Sequence, residues 1–142
     1  MKTNQARTVT LDIASRVELI DLVQTVLSHL CGLLGFDEEA THYMSVAVRE
    51  SVVNAVRHGN KMEDSKRVAV AFSVQRDSLG VEVRDEGAGF DPSTVEDPRA
   101  EANLLKAAGR GIFFMRSFMD AVSFEFPTKG GTIVRMVKRL PS

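Results

Sequence analysis

The chain has 142 residues, 44% of them hydrophobic and 26% charged, with a formal net charge of -1. That length allows one domain with a real core and is too short for two, and the composition excludes a disordered or low-complexity chain. Without a net positive charge or a long basic run, there is no electrostatic argument for direct binding to nucleic acid.

From Thr8 to Ile13 apolar and polar side chains alternate, with Val9, Leu11 and Ile13 on one face, which predicts a short strand. Ser15 and Glu18 then have the spacing of a capping box at a helix start. Behind them Val17, Ile20, Val23, Leu27, Leu30 and Leu34 recur at helical intervals up to Gly35, an amphipathic helix packed on a core. Cys31 falls inside this apolar pattern and is the only cysteine, so it reads as a buried, inert thiol with no internal disulfide. No apolar stretch is read here as approaching a membrane span, and Met1 to Gln5 lack the apolar core of a secretory signal. The expectation is a cytoplasmic protein with no membrane partner.

A second helix is predicted from Asp37–Glu39 to about Arg57, closed by His58-Gly59-Asn60. Val68, Val70 and Phe72 mark a strand, Asp77-Ser78 a turn, and Gly80 to Arg84 a second strand, so this pair reads as a hairpin. From Gly87 to Arg110 the periodicity disappears among Gly87, Gly89, Pro92, Pro98 and Gly109. So long a structureless connection in a small domain reads as a functional lid. A short helix follows, its Phe113, Phe118, Met115 and Met119 read as core, and two strands, Ala121 to Phe126 and Thr132 to Lys138, are joined at Lys129-Gly130-Gly131. This order predicts an α/β (α+β) two-layer sandwich in a single domain over residues 1–142, its mixed, mostly antiparallel sheet covered on one face by helices.

Four features carry chemistry. Glu50, Asn54 and His58 stand four residues apart on one face of a helix otherwise rich in valine, including Val46, Val48, Val52, Val53 and Val56; a solvated polar stripe would look the same. Asp85 ends a strand and is followed by Gly87 and Gly89. A carboxylate there accepts a hydrogen bond from an exocyclic amine such as adenine N6, and the glycines admit a flat ligand close to the backbone. Asp and Gly also make ordinary turns. Gly109-Arg110-Gly111 reads as opening a helix, where free amides and a cation form a phosphate site. Gly130-Gly131-Thr132 enters the last strand, where a tight turn explains the glycines equally well. His29 and His42 lack metal-like spacing and read as surface or packing residues.

In this order and spacing, Glu50-x-x-x-Asn54 through His58-Gly59, Asp85-x-Gly87-x-Gly89, Gly109-Arg110-Gly111 and Gly131-Thr132 resemble the Bergerat-fold (GHKL) ATPases and kinases. The runs from Arg49 to Asn60 and from Gly109 to Asp120 look closest to the anti-sigma factor serine-protein kinases of that superfamily. The resemblance implies ATP and Mg²⁺ as cofactors, with Glu50 as general base and Asn54 as magnesium ligand. It implies Asp85, Gly87, Gly89 and Thr132 on the adenine side, Gly109, Arg110 and Gly111 on the phosphates under an ATP lid at about 87–110, and His58 near the nucleotide. It further implies a homodimer, a STAS-type anti-anti-sigma protein as substrate and a sigma factor as second partner. A nucleotide-gated binding module with little kinase activity and a non-sigma target is the alternative; retention of Glu50 favours the enzyme. A detached histidine-kinase catalytic domain fits less well, because the chain carries no phosphoacceptor helix of its own.

Overall fold

A computed structural model of the chain describes residues 7–87 and 99–141, and over 99–108 the backbone alone. Its elements are β1 (Arg7–Ala14), a 3-10 turn (Val17–Leu19), α1 (Ile20–Leu34), α2 (Glu38–Asn54), a π-turn (Ala55–Gly59), β2 (Arg67–Val74), β3 (Ser78–Arg84), α3 (Arg99–Phe118), β4 (Ala121–Glu125) and β5 (Ile133–Arg139). The five strands form one sheet in the order β1-β2-β3-β5-β4. All four pairings are antiparallel, so the expected mixed sheet is antiparallel throughout its described strands.

Register explains the layer. Directly opposed residues share a face, so the pairs Ile13↔Val68, Val70↔Val83, Phe72↔Val81, Val83↔Val134 and Val81↔Met136 build one continuous apolar surface. Onto it pack Ile20, Val23, Leu27, Leu30 and Cys31 of α1, Met44, Ala47, Val48 and Val52 of α2, and Ile112 and Met115 of α3. The other face is polar: Arg135 bridges Glu82 at 3.0 Å and Glu125 at 2.7 Å across three strands. Burial pushes the Cys31 thiol up to about 11, against a hydrogen bond with the Thr41 side chain, and leaves it the inert core residue expected.

The helix ends follow local chemistry. Gly35 takes φ +94° and closes α1 with its N–H on Cys31 and Gly32. Asp37 caps α2, its Oδ1 accepting from the Ala40 N–H at 2.7 Å, with Glu38 and Glu39 beside it in the first turn. Ser15, by contrast, caps nothing. Its hydroxyl donates to the Lys66 carbonyl at 2.6 Å, a long-range bond that wins over the local cap, and the following helical turn begins without a side-chain cap.

Three further expectations change. Val17–Leu34 spans 18 residues at mean hydropathy 1.5, long and apolar enough to cross a membrane by length and composition. It is so apolar because α1 carries Leu22 and Leu33 on its exposed side as well as its core residues. The last helix begins at Arg99 and not at Gly111, because the run Ala100 to Ala108 consists mostly of strong helix formers that outweigh about 1 kcal/mol for each glycine. Of the stretch read as a lid, residues 88–98, with Gly89, lie outside the described residues. Met115 and Met119 are core as expected, but Phe113 is 65% exposed.

Leu27, with no exposed surface, should cost about 2–5 kcal/mol when replaced by Ala. Leu33→Ser, at a position 71% exposed, should stay within about 0.5 kcal/mol. Urea unfolding measures both; equal effects would contradict this core.

Candidate functional site

Two clusters of side chains lie along one helix axis. The first gathers where β3 ends. The Asp85 N–H continues the ladder to the Thr132 carbonyl at 3.1 Å. The Asp85 carboxylate then turns back on its own backbone: Oδ1 accepts from the Gly87 N–H at 2.9 Å and the Thr132 N–H at 3.1 Å. Both bonds fall on Oδ1, so Oδ2 faces Gly59 without a hydrogen bond among the described residues. A Cβ on Gly59 would overlap Oδ2, one on Gly131 would overlap the Asp85 carbonyl, and one on Gly87 would lie 2.5 Å from the Gly59 carbonyl. Three glycines therefore allow three backbones to converge on a single carboxylate, and Gly131 in addition takes φ +84°, a conformation other residues rarely adopt.

Asp85 is 8% exposed. Burial raises its carboxyl above the ordinary carboxylate value, while the Gly87 and Thr132 amides and the positive charge of Lys66 oppose the rise. A folded-state value above the unfolded one means the fold binds this proton more tightly. The contribution to stability is full while the unfolded chain is also protonated, and it is lost as pH rises through the folded value. At pH above the folded value the ionised Asp85 is a standing cost to the fold, of the kind retained for function.

The second cluster lies on α2. Glu50 and Asn54 are half-buried and share the face that meets α3. Gly111 sits directly against them: a Cβ there would be 3.0 Å from Glu50 Oε1 and 3.3 Å from Asn54 Nδ2. The missing side chain lets the α3 backbone approach Glu50 and Asn54 this closely. Beyond Asn54 the helix widens into the π-turn, closed by the Asn60 N–H on the Ala55 carbonyl at 2.8 Å. Such turns insert a residue and re-aim the chain beyond them; here the turn brings Gly59 against Asp85. From Glu50 to Gly59 is about 13 Å along the axis.

The remaining sequence candidates are placed less centrally. Gly109, Arg110 and Gly111 lie inside α3, so they do not open a helix and present no free N-terminal amides. Arg110 is exposed, its guanidinium 5.5 Å above the Phe114 ring, and Gly109 borders open space. His58 is exposed. Thr132 acts through its backbone, as donor and acceptor to Asp85. Sequence reasoning took Gly59 and Asn60 for a helix stop and Gly131 for a turn. The only signal of their role was their adjacency to His58 and Thr132.

The sequence model of the histidine kinase-like ATPase domain family matches residues 13–138. Among curated proteins the chain is similar to the serine-protein kinase RsbW of Listeria monocytogenes, 29% identical over 124 residues, 83% of this chain and 79% of that protein. It is also similar to the serine-protein kinase RsbW of Bacillus subtilis, 27% identical over 143 residues, 96% of this chain and 88% of that one. An ATPase domain implies ATP binding.

Asp85→Asn keeps an oxygen for the two amides and removes the buried charge. It should leave the thermal midpoint unchanged or higher while weakening ATP at least ~10-fold, read by scanning and titration calorimetry. Gly59→Ala forces a methyl group into the same carboxylate and should cost about 1–3 kcal/mol of stability together with measurable ATP binding. Undiminished binding in either variant would remove Asp85 from the site.

Proposed function

We propose, for a chain that belongs to the histidine kinase-like ATPase domain family, transfer of the γ-phosphoryl group of ATP to a serine hydroxyl of a protein partner. The observation that carries this reading is the Glu50–Asn54 pair, one helical turn apart and packed against the bare backbone of Gly111. A carboxylate one turn from an amide that can hold magnesium suits a general base, which mere nucleotide binding does not need. The similarity to proteins named serine-protein kinase supports the same choice.

In this reading adenine donates its 6-amino hydrogen to Asp85, and the triphosphate runs along α2 toward Glu50. Glu50 takes the proton of the serine hydroxyl as its oxygen bonds to the γ-phosphorus, and the bond to the β–γ bridging oxygen breaks to release ADP. The donor set fits a magnesium ion. Asn54 turns its Nδ2 toward Gly111, no hydrogen bond among the described residues occupies its Oδ1, and magnesium takes one or two protein oxygens beside the phosphates. Bound there, Mg²⁺ would neutralise phosphate charge. By the resemblance, Gly109 and Arg110 hold the phosphates and His58 lies near the nucleotide.

The kinase reading extends to partners. The substrate is a STAS-type anti-anti-sigma protein, a sigma factor is the second partner, and the chain works as a cytoplasmic homodimer, all by resemblance to the anti-sigma factor serine kinases. A nucleotide-gated binding module acting on a non-sigma target is the competing reading, and Glu50 speaks against it.

Transfer from labelled ATP with Mg²⁺ to the STAS-type proteins of the source genome tests the proposal. Label should appear on a serine of one of them, and Glu50→Ala should lower transfer ~10²–10⁴-fold while leaving the ATP dissociation constant within about 3-fold. Loss of ATP binding in that variant would sink the role given to Glu50. Clear ATP binding without transfer to any candidate would favour the binding module.

A further inference from the structure

Asn60 has no exposed surface and follows Gly59, the residue that faces Asp85 Oδ2. Its amide is fully used. Nδ2 donates to Ser15 Oγ at 2.8 Å and to the Arg67 carbonyl at 2.9 Å, and Oδ1 accepts from the Glu86 N–H at 2.7 Å. The two ends of the amide do different work. The donor end ties the π-turn to the start of β2 and the corner after β1. The acceptor end fixes the peptide between Asp85 and Glu86, and the next N–H, that of Gly87, is one of the two that hold Asp85 Oδ1. Glu86 is pinned from a second side, its carboxylate accepting from the Arg67 N–H. One side chain thus sets where Gly59 stands against Oδ2 and where the Gly87 amide turns the carboxylate.

We infer that Asn60 is a positioning residue that acts through Asp85 to select nucleotides carrying a 6-amino group. The inference rests on the reading of Asp85 as the acceptor for adenine. A carboxylate held through Oδ1, with its Oδ2 carrying no hydrogen bond among the described residues, accepts from the 6-amino group of adenine and repels the 6-oxo group of hypoxanthine, whose oxygen is also an acceptor. Once the 85–86 peptide is released, the carboxylate rotates and the distinction is lost. General loosening of the fold would weaken both nucleotides alike, so the ratio of their affinities reports positioning separately from stability.

The experiment titrates Mg-ATP and Mg-ITP calorimetrically into the wild-type chain, Asn60→Ala, Ser15→Ala and Asn60→Asp. The wild type should prefer ATP by at least ~10-fold, the worth of one hydrogen bond to a charged group. Asn60→Ala should bring that preference within about 2-fold. Ser15→Ala removes one partner of the donor end, together with the bond from Ser15 to the Lys66 carbonyl, and should keep the full preference with a lower thermal midpoint. Asn60→Asp keeps an oxygen for the Glu86 N–H and should also keep it, which decides the matter if Asn60→Ala does not fold. A preference retained in Asn60→Ala, or lost equally in Ser15→Ala, or lost in Asn60→Asp, overturns the inference while ATP binding by the wild type still stands. No ATP binding by the wild type overturns the adenine reading and this inference with it.

Discussion

The contact between the Asp85 carboxylate and the bare backbones of Gly59, Gly87 and Gly131 is the constraint on which the rest of the site depends. A side chain at 59 or 131 would overlap Asp85, so the end of α2, the end of β3 and the approach to β5 meet only because each supplies a glycine there. The carboxylate they enclose is buried and held by amides on one oxygen only. An unpaired oxygen at such a position is unfavourable in isolation and useful with a donor opposite it.

α2 converts that contact into a site. Its buried face, Met44, Ala47, Val48 and Val52, fixes it on the sheet, while Glu50 and Asn54 look toward α3. The π-turn delivers Gly59 and Asn60 to the sheet end. In the proposed reading, base recognition and phosphate chemistry are therefore set apart by a rigid element, and their separation does not depend on a loop. A stacked run of rings, Tyr43 on Phe118 at 4.7 Å and Phe118 on Phe114 at 5.8 Å, braces the α2–α3 seam beside Gly111.

The strands were legible because the period-2 pattern of Val68-Val70-Phe72 and Val81-Val83 survives in the sheet register, and α1 ends at Gly35 and α2 starts at Asp37–Glu38 where those boundaries were expected. Glu50, Asn54, Asp85 and Gly87 stood out as polar or flexible residues in apolar surroundings. Part of what was hidden depends on partners distant in sequence. Asn60 is satisfied by residues 7, 26 and 45 positions away, and Ser15, an apparent cap, bonds 51 positions away. The start of α3 was misplaced by weighting two glycines above a run of alanines and leucines. The π-turn has no side-chain signature, since only a backbone bond five residues back distinguishes it.

The strand order has a consequence for how the protein is made. β5 lies between β3 and β4, in the interior of the sheet, yet is the last strand to be synthesised. Thr132, which grips Asp85 from the other side, lies at its threshold. A ribosome that has released the chain from α1 through Gly87 has therefore exposed Glu50, Asn54 and Asp85 but not the Thr132 amide or the strand that follows it. Until the stretch through Arg139 emerges, Val81 and Val83 have no neighbour on that edge and the pocket has no far wall. In the proposed reading ATP thus stabilises only a sheet that already holds β5, which makes the nucleotide a reporter of that strand's arrival as well as a reactant.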